Sequence, residues 1–187
     1  MRDLGMVAVA HGSPLTYDDL QRLPDDGYRH ELLDGSLLMT PAPSIPHQVC
    51  ALTLAFLLRR HRRPGEIVLV APFDYVISPS TVLEPDVVVA RTADLTHANL
   101  PATPLLVVEV LSPSTRRMDR TVKRLAYEDA GVPSYWLVDP DVPAVTVLEL
   151  VDGKYEEVAV VAGDESFTAS TPFPVEITPA RLLDDLS

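Results

Sequence analysis

Apolar and polar positions along the chain mark out a series of short elements. "LTYDDLQRL" places Thr16 three residues before Asp19, which predicts a capping box and a short helix beginning near residue 17. "YRHELLDGSLLMT" is two strand-like runs separated by Asp34-Gly35, the pattern of a hairpin with a two-residue turn. "SIPHQVCALTLAFLLRRHRR" predicts a helix of about 16 residues beginning near His47, with Pro46 suited to its first turn and Pro64-Gly65 ending it. "EIVLVA" and "FDYVIS" read as a strand pair broken at Pro72.

"PDVVVA" and "PLLVVEVLS" are near-continuous runs of β-branched residues and leucine, as expected of strands covered on both faces. "RRMDRTVKRLAYEDAG" predicts a helix capped by Gly131. At helical spacing Met118, Val122, Leu125 and Ala126 form its apolar stripe. Arg116, Asp119, Arg120, Lys123 and Tyr127 lie along one flank of that stripe. "SYWLVDP" is the next strand, and a strand–helix–strand crossover of this length implies a parallel or mixed sheet. "AVTVLELVDGKYEEVAVV" is a hairpin turning at Asp152-Gly153, and "TPARLLDDL" closes as a short helix starting at Pro179. The expected class is α/β, a central mixed β-sheet flanked by helices with additional β-hairpins, in one domain over residues 1–187.

Composition narrows the setting. Hydrophobic residues make up 47 % of the 187, enough for a substantial core, and no apolar run approaches the roughly 20 residues of a membrane span. The N-terminal "MVAVA" is too short for a signal-peptide core and follows acidic Asp3. The single cysteine, Cys50, excludes an internal disulfide and a multi-cysteine zinc site. A cytoplasmic protein with no membrane partner is expected. The formal net charge of −12 argues against a protein coated in nucleic acid. Yet most of the basic residues fall in two runs, Arg59, Arg60, Arg62 and Arg63, and Arg116, Arg117, Arg120, Lys123 and Arg124. The first run reads as a solvated helix face, the second as a patch for a phosphate-bearing ligand.

The candidate chemistry lies just before that second run. Glu109 sits inside an apolar strand, and an acid there needs a partner or a job. Asp86 begins the preceding strand. If the strands are neighbours, both carboxylates meet at one end of the sheet. With a backbone carbonyl they make the hard oxygen set that Mg²⁺ accepts, several waters being kept. Phosphodiester chemistry also wants a cation near the developing charge. Residue 111 shares the face of Glu109 but is leucine, so the candidate moves to Lys123, whose long side chain can reach back over the sheet end. Each residue has a structural alternative: Glu109 paired with Arg116 or Arg120, Asp86 as a simple strand start, Lys123 paired with Asp119 on the helix surface. Ser112, Ser114 and Thr115 serve best as caps of the following helix, and Tyr127, Tyr135 and Trp136 as core.

The blocks "YRHELLDGSLLMTPAPSIPHQ", "EPDVVV" and "VVEVLSPSTRRMDRTVKRLAYEDAGVPSYWLVDP" together resemble the Uma-two family of restriction endonucleases, within the PD-(D/E)xK nuclease superfamily, from about Leu15 to the C-terminus. The resemblance implies a restriction-endonuclease-like core and Mg²⁺-dependent cleavage of a phosphodiester, with Mn²⁺ as a substitute. It places the superfamily's aspartate on Asp86, its second acid on Glu109 and its early glutamate on Glu31. The usual lysine position falls on Leu111, a departure, and Lys123 takes its place. His47 fits the family pattern without an assigned role. Asp86 and Glu109 are then the expected metal ligands, with the Val110 carbonyl as a third. Arg116 and Arg120 are the expected nucleic-acid contacts, DNA the expected substrate and a homodimer the expected assembly. The competing reading is a catalytically inactive nuclease-fold module that binds or regulates, supported by the acidic surface and by leucine at 111.

Overall fold

The computed structural model describes residues 7–9 and 13–186. Two Asp-Gly turns organise much of it. Asp34 and Gly35 have φ of 49° and 75°, and Asp152 and Gly153 have φ of 49° and 78°. Positive φ at both central residues matches the right-handed twist of the flanking strands, so each pair closes a tight hairpin. The first joins β2 (Arg29–Leu33) to β3 (Ser36–Thr40), and β1 (Val7–Val9) adds to the free edge of β3. Ahead of β2 lies the short helix α1 (Tyr17–Leu20), closed by the expected capping box between Thr16 and Asp19. After β3 comes α2 (Ile45–His61), where Ser44 caps the helix by accepting the His47 N–H and Pro46 occupies the first turn.

The chain continues through β4 (Glu66–Val70), β5 (Asp74–Ser78), β6 (Thr81–Leu83), β7 (Val87–Arg91), β8 (Asn99–Leu100) and β9 (Leu106–Val110). A helical stretch follows in three parts: α3 (Arg116–Met118), a π-helical turn over Asp119–Lys123, and α4 (Arg124–Asp129). It crosses to β10 (Ser134–Asp139), and the second Asp-Gly hairpin joins β11 (Ala144–Val151) to β12 (Lys154–Ala162). A small pair, β13 (Phe167–Ala169) and β14 (Val175–Ile177), and a 3₁₀ segment over Pro179–Leu186 complete the fold.

The central sheet has the order β12-β11-β10-β9-β7-β4. Only β9 and β10 run parallel in it, so the sheet is mixed, as the crossover implied. A second six-stranded sheet has the order β1-β3-β2-β6-β5-β8. "EIVLVA" and "FDYVIS" therefore do not pair. β4 lies against β7, whereas β5 joins β6 and β8 in the other sheet. The first run alternates between two apolar layers, Val68 packing with the cluster under α2 and Ile67 with the opposite one, while Phe73, Tyr75 and Ile77 all pack in that opposite layer with Leu83 and Leu100.

Alternation along β9 splits the core. Leu106, Val108 and Val110 face Leu54 and Leu58 of α2, each of which contributes about 1.5–3 kcal/mol by burial. Val107 and Leu111 face the opposite layer, floored by Tyr75, Tyr127, Tyr135 and Tyr155. The rings of these tyrosines follow one another at centroid distances of 6.3, 5.1 and 5.8 Å. Among the described residues no helix is long and apolar enough to cross a membrane.

The helix after β9 buries only part of its apolar stripe: Ala126 packs against the core and Met118 is half-buried. Val122 is 40 % and Leu125 54 % exposed, while Asp119, Lys123, Tyr127 and Glu128 are inside. The polar flank faces the protein because it meets buried acids from both sheets, described below.

The two turn glycines separate strain from contact. A Cβ on Gly35 would stand 2.5 Å from Pro14 Cβ and 2.8 Å from its Cα, whereas one on Gly153 meets nothing within 4 Å. Gly153→Ala should cost about 1–2 kcal/mol, the strain of left-handed backbone alone. Gly35→Ala should cost visibly more, because the Pro14 backbone must also move; urea melts of the two variants measure the difference.

Candidate active site

β7 and β9 are antiparallel neighbours, with Val87 opposite Val108. That register brings Asp86, just ahead of β7, beside the end of β9, where the Val110 N–H donates to its Oδ2 at 2.8 Å. Glu109 is one residue earlier on β9. Asp86 is 4 % and Glu109 2 % exposed, and both border one cleft of about 190 Å³. Lys123, from the π-helical turn, is 2 % exposed and donates from Nζ to Glu109 Oε1 at 3.2 Å and to Glu31 Oε1 at 2.8 Å. Glu31 comes from β2, in the other sheet, and its Oε1 also accepts the Glu84 N–H at 2.8 Å. Tyr127 donates to Glu109 Oε1 at 2.7 Å.

Asp86 is held differently. Arg29 donates to Oδ1 from Nη1 at 3.1 Å and Nη2 at 3.0 Å, and to the Glu84 carbonyl at 2.9 Å. His47 Nε2 lies 3.1 Å from Oδ2. The capped first turn of α2 places that ring over the sheet end. Asp119, four residues before Lys123, borders the same cleft with its Oδ1 3.9 Å from Lys123 Nζ.

Five carboxylates (Glu31, Glu84, Asp86, Glu109 and Asp119) thus share the space with two fixed cations, Arg29 and Lys123. Their protonation is driven apart. Burial would raise Asp86, but His47, Arg29 and the Val110 N–H outweigh it and hold its carboxyl below the usual range. Burial dominates at Glu109, raising it well above the usual range despite Lys123, and neighbouring Asp86, Asp119 and Glu31 push the same way. Burial pushes Asp119 up to about 6 and Glu84 up to about 7. Lys123 loses stability as a cation through burial, yet Glu109, Glu31 and Asp119 more than restore it and hold the ammonium charged. Acids pushed in opposite directions within one cleft are found both at catalytic sites and in buried ion-pair networks.

The family model described as "Putative restriction endonuclease", Uma2, matches residues 17–184. The chain belongs to the Uma2 family. This is the family that the sequence blocks resemble under the name Uma-two. Among solved structures, the chain is similar to one titled "Crystal structure of a putative nuclease belonging to DUF820 from Anabaena variabilis ATCC 29413", with a TM-score of 0.75 at 18 % identity over 93 % of this chain and 100 % of that one. At that identity the likeness concerns the fold alone, a mixed α/β fold with central sheets flanked by helices. No curated protein matches the chain.

In this Uma2 chain the structure gathers Glu31, His47, Asp86, Glu109 and Lys123 from β2, α2, the entry to β7, β9 and the π-helical turn. Glu109 pairs with Lys123 and Tyr127, not with Arg116 or Arg120. Leu111 is buried in the tyrosine-floored layer. Arg116 instead grips the end of β10: its guanidinium donates to both Asp139 oxygens and to Asp141 Oδ2 at 3.0 Å. Arg120 is exposed. Val110 contributes its N–H to the site, donated to Asp86, in addition to any role of its carbonyl. Sequence reasoning passed over Arg29, Glu84, the inward turn of Asp119 and the bond from Tyr127. Arg29 carried one usable signal: it is two residues from Glu31 on one strand, hence on the same face.

A divalent metal is the group this family resemblance implies. Among the described residues no three His, Cys, Asp or Glu groups are arranged to hold one. The donor chemistry nonetheless fits. All five acids offer hard oxygens, the carboxylates outnumber the cations, and Glu31 Oε2, Glu84 Oε2 and both Asp119 oxygens are buried without a hydrogen bond. Mg²⁺ needs only one or two carboxylates, with water or substrate oxygens completing its shell.

Lys123→Met should show how far the cluster depends on one ammonium. It leaves Glu31 and Glu109 buried without a counter-charge and should cost about 3–5 kcal/mol near pH 7. Arg124→Met, which removes a bond to the Tyr155 carbonyl, should cost far less. Metal-free wild type should lose stability as pH rises from about 4 to about 7. Glu84 and Asp119 keep protons in the folded state that the unfolded chain has already released, so their contribution is complete below the unfolded values and fades through the folded ones. Melts in chelator across that range measure both effects; stability rising with pH there would contradict the buried-acid electrostatics.

Proposed function

We propose that the protein is a divalent-metal-dependent endonuclease acting on nucleic acid, with DNA the expected substrate and Mg²⁺ the expected ion. The observation that carries the reading is the convergence of Asp86, Glu109 and Lys123, from three elements, on the wall of one cleft. Asp86 and Glu109 would hold the ion, with the Val110 carbonyl as a third ligand. Once bound, the ion polarises the phosphodiester and makes water a better nucleophile at neutral pH. The chain's own residues prepare that reaction. Arg29, His47 and the Val110 N–H keep Asp86 ionised and fixed. Tyr127 orients Glu109 through its phenol, and Glu31 holds Lys123 from the far side. The ammonium of Lys123 is then set to stabilise negative charge that grows on the phosphate oxygens. A two-fold dimer would serve cleavage of both strands of a duplex.

One observation favours the second reading, a nuclease-fold module that binds without cutting. Every Asp86 oxygen is already occupied by donors, and the superfamily's lysine slot holds buried Leu111. Incubation with plasmid, linear and single-stranded DNA and with RNA, in Mg²⁺ or Mn²⁺, distinguishes the two.

Glu109→Gln should lower cleavage on the order of 100-fold or more while the fold persists, because the amide keeps the shape and removes the anionic oxygen. Undiminished cleavage by the folded variant would remove Glu109 from the site. Nucleic-acid affinity should fall steeply with salt, since few basic residues carry the phosphate contact. Arg120→Ala should flatten that slope more than Arg116→Ala, because Arg116 is already engaged by Asp139 and Asp141. Equal slopes for both variants and the wild type would place the binding surface elsewhere.

A further inference from the structure

We propose that Asp119 is a ligand of the divalent cation, sharing it with Glu109, and that it, more than Asp86, supplies the open coordination of the cleft. The inference rests on reading the cleft as a cation site. Asp86 has both oxygens committed to Arg29, His47 and the Val110 N–H. Glu31 gives one oxygen to Lys123 and the Glu84 N–H. Asp119 is 1 % exposed, and neither of its oxygens has a hydrogen-bond partner within 3.5 Å; the Thr115 side chain is the one polar neighbour besides Lys123 that favours its anion. Its ion pair with Lys123 is long, at 3.9 Å, and Lys123 spends its closer contacts on Glu31 and Glu109. The Thr115 hydroxyl, which also borders the cleft, lies 3.0 Å from Ser112 Oγ, where either group can donate, so its contact with the Asp119 carboxyl is a weak one that a cation would replace.

An ionised carboxylate buried with neither oxygen satisfied costs free energy unless something else occupies it. The local backbone explains how the side chain is kept there. The π-helical turn Asp119–Lys123 lies between two α-helical segments and turns both of its end residues inward. Such widened turns recur at functional sites, where regular spacing would point a side chain elsewhere. Here the buried face reads Asp119, Lys123, Tyr127, and the apolar Val122 and Leu125 are left in solvent. Burying acid in preference to leucine makes physical sense where a cation completes the site. Two carboxylates with water suffice for Mg²⁺ or Mn²⁺.

The test uses Mn²⁺ as the probe on the full chain. Isothermal titration of wild type, Asp119→Asn and Glu109→Gln is run beside thermal melts in chelator. Asp119→Asn should weaken Mn²⁺ binding at least tenfold and raise the metal-free melting temperature, because it removes a buried anion and its repulsion from the neighbouring acids. Asp119→Ala should weaken binding equally, which guards against a poorly packed amide. An Asp119→Asn protein that binds Mn²⁺ like the wild type overturns the inference, and loss of binding in Glu109→Gln alone leaves the metal-dependent reading standing. A lowered metal-free melting temperature also overturns it, since Asp119 would then serve the fold as the partner of Lys123. A wild type that takes up no Mn²⁺ overturns both the inference and the metal-dependent reading.

Discussion

The ammonium of Lys123 sits between Glu109 of the central sheet and Glu31 of the other sheet, and most of the site's architecture depends on that arrangement. Withdrawing an ammonium and two carboxylates from water is costly, and attraction offsets it only when geometry and further hydrogen bonds are good. Tyr127 and the Glu84 N–H supply those further bonds. The same contact ties two sheets and the intervening helix together at one point. It also changes the amphipathicity of that helix, whose Asp119 and Lys123 are drawn in and whose Val122 and Leu125 are left outside.

Around this centre the protein creates two different acids from similar residues. Asp86 is surrounded by donors and stays anionic; Glu109 has one shared ammonium and a phenol, and burial makes its charge expensive. The contrast arises from placement. Asp86 stands where Arg29, the start of α2 and a strand-end amide converge, while Glu109 lies inside β9 above a floor of tyrosines. A site with carboxylates in excess of its cations is suited to a divalent ion and to a phosphate brought in with it.

The surface carries a different electrostatic problem. A net charge of −12 repels a polyanion, so the proposed phosphate contact would have to be local. Part of the basic run beside the site is already spent: Arg116 holds the end of β10, Arg124 reaches the Tyr155 carbonyl, and Lys123 is interior. Arg117 and Arg120 remain exposed on that stretch.

The sequence alone determined the elements whose cause is local. Thr16 with Asp19, Ser44 with Pro46, and the two Asp-Gly pairs act within a few residues, so their helix starts and hairpins are written in the chain. The crossover from β9 to β10 and the mixed sheet followed from strand–helix–strand order, and an acid inside an apolar strand was enough to single out Glu109. Contacts between distant residues were beyond that reach. Glu31 and Lys123 are 92 residues apart, and Arg29 and Asp86 57. No periodicity announces such pairs, because they exist only once two sheets meet. The partition of β4 and β5 between sheets was hidden for the same reason. So was the face of the helix at 116–129: spacing favours burying its leucine and valine, but the acids gathered beneath it made burying Lys123 and Asp119 the better compromise, and only the tertiary structure places those acids there.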